Sequence, residues 1–143
     1  MTAADSRSSR PVATLDIMRQ SIKQSPFTTH LGAEVTVCHD GRAELVVPFR
    51  PDLTQHHGVL HGAVVGAIAD NAMSWAAASA AGDVVTSEYK LNLLGPGIGE
   101  RFIGRGQVVK AGRRQVVARA EVFAERDGRE KLIAVATGTI VPV

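Results

Sequence analysis

Several things are scarce in this sequence, and each scarcity excludes something. There is one cysteine, Cys38. No internal disulfide framework can form, and a reducing, cytoplasmic setting is the expectation. Aromatic residues make up only 4% of the chain and no basic run is interleaved with them, which argues against a nucleic-acid surface. The serine elbow pattern G-x-S-x-G is missing. The first residues, MTAADSRSSR, hold no apolar core and do not read as a secretory signal. Residues 1–11 are instead expected to form a flexible polar tail. No stretch suits a membrane either. Residues 59–81 reach the required length of about 20 residues, but Ala and Gly dominate, and His61, Asp70, Asn71 and Ser74 would sit in lipid. A central Asp alone costs about 2.5–3.5 kcal/mol there.

What is present fits one globular domain over residues 12–143. The chain has 143 residues, 45% of them hydrophobic and 21% charged, enough for a real core. Its net charge of +2 is unevenly spread. Residues 101–131 hold nine of the sixteen Lys and Arg against four acids, which makes that segment +5 and the remainder −3. Such an excess suits an anionic ligand. It suits a solvated strand face equally, and residue counts alone favour the strand face.

Residues 12–24 place Leu15, Met18 and Ile22 at helical spacing, which predicts a short amphipathic helix ending before Pro26. Two β-rich runs then flank Asp40-Gly41, a hairpin signal. Residues 61–81 predict the one long helix, with Gly82 suited to a left-handed cap. Val85, Ser87, Tyr89, Leu91 and Leu93 alternate with Thr86, Glu88, Lys90 and Asn92, as expected of a strand. Three more strands are expected near 101–111, 114–125 and 131–141. Short turns imply antiparallel pairing. The prediction is an α+β domain in which a curved antiparallel sheet of about six strands wraps the long helix, whose many alanines let strands approach closely.

Asp70 lies inside that apolar helix. A buried unpaired charge is expensive, so it must be paired, protonated or open to a cleft. The helix start is a second candidate element. Gly62 and Ala63 carry first-turn N–H groups without helical partners, where the helix dipole favours negative charge. A developing oxyanion would be stabilised there. Gly62 and Asp70 are eight residues apart, about 12 Å of rise and roughly 80° of rotation. One helix cannot aim both at one atom. Two antiparallel helices related by a two-fold axis can, so a site shared across a homodimer is the expectation. His57 and His61 have i, i+4 spacing, but Gly58 lies between them and no third ligand is evident, so no metal is expected. His61 is read as capping or packing at the helix start, and Cys38 as core.

The stretch RPDLTQHHGVLHGAVVGAIADNAMSWAA, with TSEYKLNLLGP, VVKAGRR and the closing strands, resembles the hotdog-fold thioesterases of the phenylacetate-degradation (PaaI-like) and acyl-CoA thioesterase 13 type. The likeness runs over roughly residues 27–141. It implies hydrolysis of acyl-CoA without a cofactor, at a site between two protomers of a homodimer that often pairs into a homotetramer. Asp70 matches the general base or nucleophile, and Gly62 the N–H donor to the thioester carbonyl. Gln55 matches a polar residue, often Asn, that helps hold carbonyl or water. Thr86 matches a Ser or Thr that orients water. Lys110, Arg113 and Arg114 are the implied contacts for CoA phosphates, with His61 and Ala63 at the substrate. Two departures stand out: Ala63 where the family has a second glycine, and Gln55 with one methylene more than Asn. They leave a non-catalytic acyl-CoA binder as the alternative. A hydratase needs a differently placed His, and His61 lies on the far side of the helix from Asp70. Met73, Trp75 and Tyr89 are candidates for an acyl pocket or for core.

Overall fold

The computed structural model describes residues 11–143. The tail expected over 1–11 therefore lies, apart from Pro11, outside the described residues.

Helix α1 (Leu15–Lys23) is capped by Thr14, whose hydroxyl accepts from the Ile17 N–H at 3.3 Å. It buries Met18 and leans Leu15 and Ile22 on the core. A second short helix, α2 (Pro26–Leu31), was not anticipated from the sequence. Its signals are local: Pro26 at the first helical position and Gly32 in the left-handed conformation just after the end.

Strands β1 (Glu34–His39) and β2 (Arg42–Pro48) form the expected hairpin. Helix α3 (Gly62–Ala81) follows, then β3 (Val84–Leu93), β4 (Arg101–Ala111), β5 (Val116–Arg126) and β6 (Arg129–Pro142). The turns at Asp40-Gly41 and Asp127-Gly128 have positive φ at both residues, the conformation that matches strand twist in two-residue hairpins. Gly82 ends α3 at φ 82°, ψ −146°, a region open to glycine but not the left-handed cap expected.

The six strands make one antiparallel sheet in the order β1-β2-β4-β5-β6-β3. Helix α3 crosses from β2 to the far edge, and it contacts all six strands. The sheet therefore wraps the helix, as expected. Ile68, Ala69, Ala72, Met73, Ala76 and Ala77 of α3 are fully buried against it. The alanines of the helix are matched by small residues on the sheet. At Gly106 an added Cβ would lie 2.0 Å from the Ala72 carbonyl oxygen, so only glycine lets helix and strand meet there.

One expectation about β3 is corrected. Simple alternation puts Thr86 on the opposite face from Tyr89, Leu91 and Leu93. The register with β6 shifts between Thr86 and Glu88, a bulge of one residue at Ser87. Thr86 pairs with buried Ile140, while Tyr89, Leu91 and Leu93 pair with Gly138, Ala136 and Ala134. All four then face the helix. The bulge changes the phase of the strand, and this change delivers Thr86 to the site.

Candidate active site

Asp70 sits midway along α3, half-buried, and accepts a hydrogen bond from the Thr86 hydroxyl at 2.6 Å between Oγ1 and Oδ1. No cation pairs with it among the described residues. A carboxylate held by one neutral donor keeps lone pairs for a further proton. Thr86, having given its only proton to Asp70, can still accept one from water.

The helix start lies near the other end of β3. His61 caps α3, its Nδ1 accepting from the Ala63 N–H at 2.9 Å. The Val64 and Val65 N–H groups reach the His61 carbonyl. Among the described residues, the Gly62 N–H alone in this turn is left without an acceptor. Ala63 is thus not a second free donor: its N–H is occupied by His61. A Cβ on Gly62 would meet Leu93 Cδ1 at 3.2 Å, and one on Gly66 the Tyr89 hydroxyl at 3.1 Å. Leu93, Tyr89 and Thr86 therefore line α3 in sequence from its first turn to Asp70. Both elements of the site lie on one helix, and they are not brought together within the chain.

Gln55 belongs to the loop before α3. An isolated bridge between Thr54 and Leu60 closes this loop, and Leu60 N–H and His61 N–H anchor it to the carbonyls of Gly97 and Leu53. The Gln55 side-chain oxygen accepts from the His57 N–H. One lone pair of the Gln55 carbonyl oxygen is thus engaged by the loop, and its amide NH2 is the half with protons to offer a ligand. His56 and His57 are exposed, with ring centroids 4.0 Å apart.

Lys110, Arg113 and Arg114 fall on or beside the exposed turn between β4 and β5. Val116 pairs with Ile140, which pairs with Thr86, so this turn lies at the Asp70 end of the sheet and away from the Gly62 turn. Two further cations of the basic segment, Arg101 and Arg105, are paired with carboxylates on the outer face. Arg101 binds Glu125 in a bidentate pair at 2.7 and 2.9 Å. Arg105 binds Glu44 at 2.8 Å and Glu130 twice at 2.7 Å, and lies over the Phe123 ring. Hydrogen bonds from the guanidinium groups hold Glu125 and Glu130 below the usual carboxylate range. Cys38 is buried in the core, and desolvation pushes its thiol up.

Against known proteins, the model of the thioesterase superfamily matches residues 57–131, from the loop before α3 into β6. The chain belongs to the thioesterase superfamily. Its sheet and long central helix are the hotdog fold of that family. A thioesterase family protein from Silicibacter pomeroyi is 42% identical, with a TM-score of 0.83 over 86% of this chain and 93% of that one. A variant of the phenylacetic acid degradation protein PaaI from Thermus thermophilus is 32% identical, with a TM-score of 0.74 over 83% of this chain and 100% of that one. A relative from Saccharolobus solfataricus, provisionally named an esterase, is 32% identical over 133 residues, 92% of this chain and 87% of its own length. Membership in the thioesterase superfamily supports thioester hydrolysis as the class of activity. No helix among the described residues is long and apolar enough to cross a membrane.

Sequence reasoning missed two features of this thioesterase. One is the packing of Tyr89 and Leu93 against the two glycines of α3. The glycine spacing Gly62…Gly66 was the available signal, since bare helix backbone at i, i+4 invites a covering strand. The other is the engagement of Ala63 N–H and Gln55 by their own loop, which depends on side-chain rotamers that no sequence pattern specifies.

Proposed function

We propose that the protein hydrolyses acyl-CoA thioesters to the free acid and CoA at a site completed by two chains. The observation that carries this reading is the Thr86–Asp70 hydrogen bond at 2.6 Å, beside a helix whose first turn keeps one N–H, that of Gly62, without a partner among the described residues. In the proposed site the Gly62 N–H of one chain polarises the thioester carbonyl at Asp70 of the other. Thr86 holds a water by accepting a hydrogen bond from it, and Asp70 removes the water's other proton, later releasing it to the leaving thiolate or solvent, as the water oxygen attacks the carbonyl carbon. The carbonyl oxygen gains charge against the Gly62 N–H and the dipole of its helix. The C–S bond then breaks, CoA thiolate leaves, and the acid remains. Direct attack by Asp70 is the nucleophilic variant of the same geometry.

The pairing rests on β3. It is an edge strand, and it exposes Val85, Tyr89 and Leu93. Two copies joined at this edge by a two-fold axis would bury these side chains and bring the two α3 helices side by side. Lys110, Arg113 and Arg114 are the proposed contacts for CoA phosphates. A homotetramer of two such dimers is compatible with this arrangement.

Complementation between two variants tests the reading. Proline is tolerated at the first helical position, so Gly62→Pro deletes the proposed donor with the helix intact, its Cβ displacing only the end of the flexible Leu93 side chain that would lie 3.2 Å away. Asp70→Asn deletes the base. Each variant alone is expected to be inactive in a thiol-release assay on acyl-CoA. Mixed dimers of the two recover turnover, because one of their two sites is whole. If mixing restores nothing, the shared site is wrong. Absence of thiol release by the parent protein across short, long and aromatic acyl-CoAs would sink hydrolysis itself. Calorimetric binding without thiol release would then favour the non-catalytic binder, for which the occupied Ala63 N–H and Gln55 oxygen are the supporting observations.

A further inference from the structure

A groove of about 440 Å³ opens between α1, the second half of α3 and the first residues of β3. Its walls include Ile17, Met18 and Ser21 of α1, Ser74 and Trp75 of α3, and Val84 of β3. The volume lies in the range of small-molecule clefts, about 300–1,000 Å³. The lining is mainly apolar, with the exposed carboxylate of Asp83 and two serine hydroxyls that already donate to helix carbonyls, Ser21 to Ile17 and Ser74 to Asn71.

What distinguishes this groove is its continuity with the Asp70–Thr86 pair. Ser74 is one helical turn beyond Asp70 on the same side of α3, about 6 Å along the axis, and Ala78 continues the line. Side chains on a helix lean toward its N-terminus, so Ser74 and Ala78 lean toward Asp70. Val84 stands two residues before Thr86 on the same face of β3, about 7 Å away. Two separate elements thus lead from the hydrogen-bonded pair into the groove. Two other hollows among the described residues lack this link. One of about 290 Å³ lies on the opposite face of the sheet among Arg42, Glu44 and Arg105. Another of about 480 Å³ lies between α1 and the edge strand β1, among Arg19, Lys23 and Glu34.

We infer that this groove receives the acyl group of the thioester, and that α1 is its far wall and sets the length of chain accepted. The inference rests on the hydrolytic reading of Asp70. An apolar tail leaving the carbonyl at Asp70 meets Ser74 and Val84 first, then Trp75 and Met18, and ends against Ile17 and Ser21. The segment just before α1 is tied to α3 by a backbone hydrogen bond from Ala13 N–H to the Ala78 carbonyl at 2.9 Å, which anchors that end of the wall. The occupant is an uncharged aliphatic or aryl chain, because among the described residues the groove holds no cation to meet an anionic end and its one charged lining residue, Asp83, is itself an acid.

Trp75 is the only tryptophan of the chain and forms part of the wall, so its fluorescence reads the groove directly. The first experiment titrates the Asp70→Asn protein with CoA alone and with acyl-CoAs from acetyl to dodecanoyl, following Trp75 emission and heat of binding together. Emission is expected to respond to the acyl-CoAs, increasingly with chain length until the groove is full, and not to CoA. Binding without any Trp75 response overturns the inference. The second experiment adds bulk at the far wall. Ser21 is exposed on α1, and Ser21→Phe should lower the ratio of kcat/KM for the longest to the shortest accepted acyl-CoA by about tenfold or more. An unchanged ratio also overturns it. Thiol release without a Trp75 response removes the groove and leaves hydrolysis standing. A Trp75 response to acyl-CoA without thiol release removes hydrolysis and keeps the groove as an acyl site.

Discussion

Three carboxylates on the outer face of the sheet and the one on the helix inside it are held in opposite ways. On the outer face, Glu44, Glu125 and Glu130 are each paired with an arginine at 2.7–2.8 Å. On the inner side, Asp70 has a threonine hydroxyl and no cation among the described residues. The outer carboxylates are acceptors whose lone pairs are already used by fixed donors, and solvent screens them. Asp70, half-buried like Glu44 and Glu125, has only one lone pair occupied. Glu88 also accepts from one threonine hydroxyl, that of Thr139 at 2.6 Å, but it is exposed on the outer face, whereas Asp70 is half-buried, and a positioned, unsatisfied and half-buried carboxylate is what a proton acceptor in a reaction requires.

That contrast can be broken at four places. The largest effect is expected at Asp70. Asp70→Asn keeps the size and the hydrogen bond from Thr86 but cannot take a proton, and thiol release should fall by about 10²–10⁴-fold with the fold unchanged by circular dichroism. A smaller loss would mean that the carboxylate is structural, like those outside. The next effect concerns packing. Gly106→Ala on the inner face puts a methyl against the Ala72 carbonyl and should cost about 3 kcal/mol in urea unfolding, whereas Arg105→Ala on the outer face should cost less than about 1 kcal/mol. Equal costs would show that the inner face is not the tight one. Third, Thr86→Val removes the hydroxyl at constant shape, and kcat is expected to drop about tenfold with little change in KM. A change confined to KM would make Thr86 a binding group and not the holder of water.

The smallest effect is electrostatic. Arginine hydrogen bonds hold Glu125 and Glu130 below their ordinary range. The folded state therefore binds fewer protons than the unfolded one, and stability rises with pH. This contribution is complete above the unfolded value of about 4.3 and is lost as pH falls through the lower native values. Glu130→Gln should flatten the acid limb of Tm against pH. The pair is partly exposed, so the Tm shift at neutral pH should stay below about 4 °C. An acid limb identical in both proteins would remove these pairs from the account.

Much of the fold was legible because its signals are local or periodic. Asp40-Gly41 and the RDGRE turn specify hairpins through residues that accept positive φ, and the alternation of Val116, Ala118, Ala120 and Val122 marks the inner face of β5. The long helix was legible from composition alone, and Asp70 was conspicuous within it. Helix α2 was missed because six residues carry too little periodicity, though Pro26 and Gly32 bracket it. Thr86 was matched to the site by resemblance, yet simple alternation put it on the wrong face. A bulge is a property of two paired strands, and the shift at Ser87 appears only in the register against β6. The capping of Ala63 by His61 and the turn of Gln55 onto the His57 N–H were likewise invisible, because they are choices among rotamers made by the packed loop.

The sequence by itself determined which elements form, that they pair as one antiparallel sheet around one helix, and that this helix carries an acid eight residues after a glycine. Periodicity, turn chemistry and side-chain size suffice for that, since each acts between near neighbours in the chain. Only the tertiary structure decided which hydroxyl meets the acid, which first-turn N–H stays open, and which helix walls the groove beside them. Those depend on contacts between residues far apart in sequence, such as Thr86 with Asp70 and Ala13 with Ala78. Their geometry is fixed by strand register and close packing across the whole domain.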